Sequence, residues 1–214
     1  MEKSARNGHP PSVAILDYGS GNQQSVFNAL MLLGAKAVVT GDPKVIAEST
    51  HLILPGVGSF AQGMEGLKMH GLIEVLRDEV LAKKKPILGI CLGMQLFASE
   101  GFEHVHTRGL GFVPGRVIKL DTGTSGLRLP HIGWNDVHLT DAHSIGKRFD
   151  HQPVFYFVHS YHVVPDDPQV IAGVCEYGQP FAALIEQGNV FGAQFHPEKS
   201  HQDGMQIFAN FLGL

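Results

Sequence analysis

One cysteine stands where a nucleophile could be placed: Cys91, in the stretch Gly89-Ile90-Cys91-Leu92-Gly93. This has the layout of the G-x-S-x-G elbow, in which a nucleophile sits on a strained turn from a strand into a helix. Such a turn crowds the positions two before and two after the nucleophile, so both need glycine. The positive end of the following helix would favour a thiolate, and the Leu92 N–H would face a developing oxyanion. The five residues alone are equally compatible with a buried structural cysteine.

A cysteine nucleophile needs a base, and thirteen histidines offer a choice. His196 is separated from Glu198 by a single proline, just after an apolar run. Residues two apart on an extended chain project to the same side. We therefore expect the Glu198 carboxylate to bind one ring nitrogen of His196 while the other faces the cysteine. The sequence predicts a triad of Cys91, His196 and Glu198.

The elements that must position these residues alternate between strand and helix in the first half of the chain. Apolar runs at 13–16, 37–39, 51–55 and 86–90 predict strands, and helical patterns lie at 22–33, 61–82 and 93–98. Gly66 and Gly71 are expected to break the second helix. Continuously apolar strands that alternate with helices indicate a parallel sheet covered on both faces.

The second half of the chain has a different pattern. Turn signals separate six strand-like segments, and a final helix is predicted at 203–211. The six segments are 113–120, 134–140, 153–164, 169–178, 180–189 and 190–198. The predicted fold is a single α/β domain: a central, mostly parallel sheet flanked by helices, with an antiparallel β extension.

Composition and charge narrow the class of protein. Sixteen basic and 20 acidic residues give a net charge of −4, so no basic face for nucleic acid is expected. No apolar run approaches the roughly 18 residues that a membrane span needs. Two cysteines cannot build a disulfide framework, which favours a reducing compartment. We expect a cytoplasmic protein with a polar tail at residues 1–11 and one domain at 12–214.

Several blocks resemble a known family. The stretches GICLGMQ (89–95) and FHPE (195–198) are similar to the two signature blocks of the class I, triad-type glutamine amidotransferases. The stretches DYGSGN, LPGVGSF, PHIGWN, FVHSYHV and QFHPEKS further resemble one branch of that family. Members of this branch supply ammonia to a barrel-shaped cyclase that makes imidazole glycerol phosphate in histidine biosynthesis. The resemblance covers residues 13–214.

The resemblance implies a role for each matching position. Cys91 would attack the side-chain amide of glutamine, His196 would transfer the proton, and Glu198 would orient His196. Glutamate and ammonia would form through a thioester. Further matching positions form the oxyanion site, namely Gly56, Val57, Gly58 and Leu92, and the glutamine-binding site, namely Gln95, Glu103, His159, Ser160 and Tyr161. The implied partner is the cyclase subunit, in a heterodimer, and no cofactor, metal, nucleic acid or membrane is implied.

Two other classes of function stay open. A different amidotransferase subunit, such as that of anthranilate or vitamin B6 synthesis, would share the glutaminase chemistry but not the partner, and the blocks HSYHVVP and DYGSGN argue against it. A cysteine peptidase or redox sensor on a similar scaffold would need Cys91, but a sensor would not need His196 and Glu198. Cys175 and Trp134 are interpreted as packing residues within strands. The other histidines match no paired metal-ligand spacing.

Overall fold

The computed structural model describes residues 10–140 and 142–213, so residues 1–9 of the predicted tail lie outside the described residues. The strands of the described part are β1 Ser12–Leu16, β2 Lys36–Thr40, β3 His51–Gly56, β4 Ile87–Cys91, β5 Glu100–Gly101, β6 Thr107–Arg108, β7 Gly115–Lys119, β8 His131–Asp136, β9 His138–Leu139, β10 Val154–His159, β11 Tyr161–Pro165, β12 Ile171–Tyr177, β13 Gln179–Gln187 and β14 Val190–Ala193. Its α-helices are α1 Gln23–Leu32, α2 Pro43–Glu48, α3 Phe60–Met69, α4 Leu72–Leu76, α5 Leu92–Gln95 and α6 His201–Leu212. A π-helical segment spans Arg77–Ala82, and short 3₁₀ turns span Pro168–Val170 and Pro197–Lys199.

The centre of the described fold is a sheet with strand order β2-β1-β3-β4-β14-β13-β12-β9. Strands β2, β1, β3, β4 and β14 are parallel, and β13, β12 and β9 continue the sheet in antiparallel pairing. Strands β8 and β10 form an antiparallel pair, and β11, β7, β5 and β6 form a further small sheet. The predicted α/β class, with a mostly parallel sheet and an antiparallel extension, is confirmed.

Both faces of the parallel strands are buried. Ala14 and Leu16 of β1 belong to one apolar cluster, whereas Val13 and Ile15 belong to the other, on the opposite face. Every residue of β4 is buried as well. Strands covered by helices on both faces must be apolar throughout, which is why the continuous apolar runs identified them.

The predicted helix at 61–82 is divided at one of the two expected glycines. Gly71 has a φ of +68° and separates α3 from α4. The expected break at Gly66 is wrong, because α3 continues through it to Met69. A Cβ at Gly66 would lie 2.6 Å from the Tyr18 carbonyl oxygen, so this glycine lets the helix approach the backbone after β1. Helix α2 and the β5–β6 hairpin were not predicted.

The carboxyl ends of the parallel strands meet at one edge of the sheet, where ligands bind in open α/β folds. Strand β3 ends at Gly56, and its neighbour β4 ends at Cys91. On the other side of β4, β14 ends at Ala193, three residues before His196. The sheet order therefore brings three sequence blocks of the predicted site together.

Candidate active site

Cys91 occupies the turn that the elbow pattern predicts. It is the last residue of β4 and precedes α5, with a φ of +52° and a ψ of −109°, a combination that non-glycine residues rarely adopt. A Cβ at Gly93 would lie 1.8 Å from the Leu54 carbonyl oxygen, and one at Gly89 would lie 2.6 Å from the Met94 nitrogen. The geometry therefore requires glycine on both sides of the cysteine.

His196 and Glu198 form a buried pair. Nδ1 of His196 lies 2.8 Å from Oε1 of Glu198, and the two side chains are 2% and 1% exposed. Burial acts to lower the pKa of His196, but interactions with the Cys91 sulfur and the Glu198 carboxylate outweigh it and raise the pKa to about 9. Nε2 of His196 is buried and makes no hydrogen bond within the described residues. The spacing thus correctly placed the carboxylate on one ring nitrogen, with the second nitrogen available for proton transfer.

Two groups beside the sulfur were not identified from the sequence. Nε2 of Gln194 lies 3.7 Å from Cys91 Sγ, and the Val158 carbonyl oxygen lies 3.9 Å from it. Gln194 is fully buried, and its Oε1 accepts a hydrogen bond of 3.0 Å from Gln95 Nε2. The sequence feature that could have identified Gln194 is its position two residues before His196, because alternate residues of an extended segment share a side.

A cavity of about 300 Å³ opens at Cys91, at the small end of the range of small-molecule sites. Ten of the predicted site residues line it: Val57, Gly58, Cys91, Leu92, Gln95, Glu103, His159, Ser160, Tyr161 and His196. Pro130 and Val158 complete the lining. Gly56 and Glu198 do not line the cavity. Glu198 lies behind the His196 ring, and a Cβ at Gly56 would lie 2.6 Å from Tyr18 Oη, so Gly56 is packed against the protein interior.

The polar groups of the predicted glutamine site are held in place by the protein. Oε2 of Glu103 accepts a hydrogen bond of 2.8 Å from the Phe60 N–H at the start of α3. Gln95 Nε2 donates to the Tyr161 carbonyl oxygen at 2.8 Å. A carboxylate suits an ammonium group, and an amide suits either polar end of an amino acid. The cavity therefore offers polar partners for a small zwitterion next to a cysteine.

The predicted oxyanion segment is tied to the loop after β1. The Val57 N–H donates to Ser20 Oγ at 3.4 Å, and Ser20 Oγ donates to the Val57 carbonyl oxygen at 2.6 Å. Tyr18 Oη donates to the Pro55 carbonyl oxygen at 2.7 Å, and Gly58 has a φ of +102°. The Val57 N–H is thus occupied by Ser20 in this conformation.

Two interpretations of single residues can be compared with the structure. Cys175 is fully buried in β12, which confirms that it is a core residue. The interpretation of Trp134 as a packing residue is wrong, because its side chain is 47% exposed. Its indole stacks on the His201 ring with centroids 5.0 Å apart. Burial alternates along β8, and Trp134 lies on the exposed face of this strand, which lies outside the central sheet.

Three buried histidines predict a loss of stability in acid. Burial lowers the pKa of His131 to about 4 and of His159 to about 3, and it also lowers the pKa of His162. Below pH 6.5 the unfolded chain takes up protons that the folded chain refuses, so the free energy of unfolding falls as the pH falls. Between pH 6 and pH 5, His131 and His159 each contribute a slope that approaches about 1.4 kcal/mol per pH unit. Urea unfolding at pH 7, 6 and 5 measures how the free energy of unfolding changes with pH.

The variant that tests this prediction is His162→Phe. Removing the buried ring of His162 should reduce the pH dependence of the free energy of unfolding. An unchanged slope in His162→Phe would show that this ring is not held neutral in the folded state.

No group of three or more His, Cys, Asp or Glu side chains in residues 10–140 and 142–213 is arranged to hold a metal ion. Among the described helices, none has the length and apolar character required to cross a membrane.

The fold and the site define a class of protein. An elbow cysteine at the carboxyl edge of a parallel sheet faces a buried His–Glu pair, as in hydrolases with a nucleophile triad. Residues 14–213 match the sequence model of the class I glutamine amidotransferase family, which is nearly the whole chain. The chain therefore belongs to the class I glutamine amidotransferase family.

Curated relatives cover almost the full length. The chain is 44% identical over 202 residues to "Imidazole glycerol phosphate synthase subunit HisH 2" of Pseudomonas aeruginosa, covering 94% of this chain and 99% of the relative. It is 41% identical over 207 residues to "Imidazole glycerol phosphate synthase subunit HisH" of Pelagibacter ubique, covering 95% and 100%. The HisH subunit of Moorella thermoacetica is 44% identical over 199 residues, with 93% of both chains covered.

Solved structures share the fold at low sequence identity. A structure described as a glutamine amidotransferase superposes with a TM-score of 0.72 at 18% identity, covering 94% of this chain and 99% of that one. PurLQS from Thermotoga maritima gives a TM-score of 0.69 at 19% identity, with 96% and 99% covered. These likenesses support the fold alone.

Proposed function

We propose that this chain is the glutaminase subunit of an imidazole glycerol phosphate synthase. It hydrolyses glutamine to glutamate and ammonia and passes the ammonia to a barrel-shaped cyclase subunit, which makes imidazole glycerol phosphate in histidine biosynthesis. The observation that carries the glutaminase part is the position of Cys91 and His196 on one amino-acid-sized cavity, with Glu198 bound to the ring of His196. The partner is inferred from relatives that are 41–44% identical over nearly the whole chain and carry this subunit name.

The first half of the proposed reaction forms a thioester. Cys91 Sγ attacks the side-chain amide carbon of glutamine, and its proton passes to Nε2 of His196. The tetrahedral oxyanion is bound by the Leu92 N–H and, after reorientation, the Val57 N–H. Collapse of the intermediate expels the amide nitrogen, which takes the proton from His196 and leaves as ammonia. The Glu198 carboxylate holds the ring with Nδ1 protonated and stabilises the imidazolium.

The second half regenerates the enzyme. A water molecule loses a proton to Nε2 of His196 and attacks the thioester carbon. The second tetrahedral intermediate expels the sulfur of Cys91, which recovers the proton, and glutamate leaves. Ammonia is consumed elsewhere, because the cavity beside Cys91 is too small for a large phosphorylated acceptor. Ammonium dominates in neutral water, so a closed path to the partner preserves the nucleophilic form.

The proposed complex is a cytoplasmic heterodimer with lyase activity in the cyclase step. An exposed apolar surface on β8 supports the presence of a partner. It consists of Ile132 and Trp134, which are 60% and 47% exposed. Strand β8 follows Pro130, which lines the cavity, so a partner on this face would lie next to the site. Both cysteines of the chain are free, and free cysteines suit a reducing compartment.

Ammonia release from glutamine tests the proposal directly. The rate is measured for the chain alone, with the cyclase subunit of the same organism, and with that subunit plus its nucleotide ligand. We expect roughly a hundredfold to thousandfold rise from the first to the third, because the Val57 N–H is occupied by Ser20 and one oxyanion donor is missing until it reorients. Equal rates in all three samples would refute activation of the glutaminase by the partner and its ligand. No ammonia in any of them would refute the glutaminase.

A further inference from the structure

A chain of hydrogen bonds crosses the interior from β8 to the active-site cavity. Nδ1 of His131 lies 3.2 Å from Nε2 of His159, and Nδ1 of His159 lies 2.9 Å from the Tyr161 carbonyl oxygen. At the other end, Nδ2 of Asn135 lies 3.5 Å from Nε2 of His131 and also donates to the Glu176 carbonyl oxygen at 2.9 Å. The two imidazoles are 2% and 6% exposed.

The partners fix which nitrogen of each ring carries the proton. A carbonyl oxygen can only accept, so Nδ1 of His159 must be the donor to Tyr161. In a neutral ring the other nitrogen then accepts, so Nε2 of His159 receives its hydrogen bond from Nδ1–H of His131. Nε2 of His131 is therefore an acceptor, which matches the NH₂ group of Asn135. Both rings are Nδ1–H tautomers, determined by the Tyr161 carbonyl.

The Tyr161 carbonyl connects this chain to the cysteine. The same oxygen accepts the hydrogen bond from Gln95 Nε2, and Gln95 also donates to Gln194 Oε1. Gln194 Nε2 in turn lies 3.7 Å from Cys91 Sγ. Residues 159–161 join β10 to β11 and line the cavity, so the orientation of this carbonyl affects the cavity wall and both amide side chains.

The surroundings keep the two rings neutral and in place. The His131 ring stacks between Tyr177 and Phe157, with centroids 4.0 and 4.8 Å away. Burial lowers the pKa of both histidines. The titratable neighbours are Tyr177 beside His131, and His162 and His196 near His159. None of them is a carboxylate, so among these described neighbours no anion offsets the cost of charging a ring. A flipped ring would leave a buried donor or acceptor unpaired.

We propose that His131 and His159 are positioning residues of the glutaminase. Fixed in their Nδ1–H tautomers, the two neutral rings hold the Tyr161 carbonyl and the cavity wall in position. This position fits the side-chain amides of Gln95 and Gln194 beside Cys91. The expected effect on glutamine kinetics rests on the proposed glutaminase function, whereas the assignment of the tautomers is independent of it. For His159, which lines the cavity, the proposal adds a role to the implied one: its ring holds the Tyr161 carbonyl.

His131→Phe is the central variant, because it keeps the stacked ring and removes the Nδ1–H donor. In the complex with the cyclase subunit, we expect kcat/KM for glutamine to fall about tenfold to a hundredfold, with a raised KM. His131→Asn, whose amide nitrogen can occupy the Nδ1 position, should recover part of the loss. A merely structural role would reduce the fraction of active enzyme, titrated by labelling Cys91 with a glutamine-like electrophile, and leave KM unchanged.

The matched control is His162→Phe. His162 is a buried histidine on β11 whose ring nitrogens make no hydrogen bond within the described residues, so its loss should change kcat/KM by less than about twofold. An equal loss in His162→Phe and His131→Phe would attribute both effects to packing and overturn the proposal. Unchanged kcat and KM in His131→Phe would overturn it as well.

Nitrogen-15 NMR of the full chain with labelled histidine tests the tautomers without any activity. The signals of the two rings are assigned from His131→Phe and His159→Phe. Both should show a protonated Nδ1 and a bare Nε2 at pH 7, and both should stay neutral at pH 5. A protonated Nε2 in either ring would overturn the proposal. If the wild-type complex releases no ammonia, the proposed function is wrong. The spectra still test whether the two rings have the tautomers that the hydrogen-bond chain requires.

Discussion

Cys91→Ala is expected to lower the rate of ammonia release from glutamine by roughly a millionfold, because the variant loses the nucleophile of a unit whose members depend on one another. The fold should be retained, since Cys91 is 7% exposed at the rim of the cavity and alanine adds no atom that could clash. The measurement is ammonia release by the complex at saturating glutamine, with synthesis from added ammonium salt as the test of an intact partner. Ammonium-dependent synthesis should be unchanged.

Cys175 provides the matched control for this prediction. Burial first, and the Asp136 charge second, raise the pKa of the Cys175 thiol to about 12, so it stays protonated and unreactive at neutral pH. A glutamine-like electrophile should therefore label Cys91 and spare Cys175, and Cys175→Ala should keep the activity. Labelling of Cys175, or residual glutaminase activity in Cys91→Ala, would contradict the assignment of the nucleophile.

The part of the site that the sequence predicts is the part built from local contacts. Gly89 is needed because a Cβ there would meet the backbone of the same turn at the Met94 nitrogen, and the His196–Glu198 pair spans two residues. Both features follow from steric rules and side-chain direction within one short segment. Gly93 differs, because the atom that its Cβ would meet is the Leu54 carbonyl oxygen of the neighbouring strand β3. The order of the strands, by contrast, does not follow from the sequence. The sequence predicts only the class of fold, a mostly parallel sheet, and this class implies no particular strand order or register.

The missed residues depend on contacts between distant segments. Gln194 contacts Gln95 across 99 positions of sequence, and His131 contacts His159 across 28. Neither contact follows from periodicity, since each depends on which strands become neighbours. Trp134 was misjudged for a related reason: its apolar pattern predicts a strand but not that the strand lies outside the central sheet. Local pattern identifies an element, and only the tertiary arrangement decides which face is buried.

His196→Ala and Glu198→Gln should differ in their effects on glutamine hydrolysis. His196→Ala should cost about as much as the loss of Cys91, because the variant loses the base that accepts the thiol proton. Glu198→Gln should cost roughly two to four orders of magnitude, since the amide can present N–H to Nδ1 and favour the wrong tautomer. It also removes the carboxylate that helps to raise the pKa of His196.

The two variants are compared by single-turnover thioester formation and by steady-state ammonia release in the complex, with ammonium-dependent synthesis as the control. Glu198 makes its hydrogen bond to His196 from a position outside the cavity, so Glu198→Gln should leave KM for glutamine nearly unchanged and act on kcat. If Glu198→Gln raised KM and left kcat intact, the carboxylate would serve substrate binding and not the orientation of the ring. If either variant also lost ammonium-dependent synthesis, the His196–Glu198 pair would be structural, because the partner would no longer receive a correctly folded subunit.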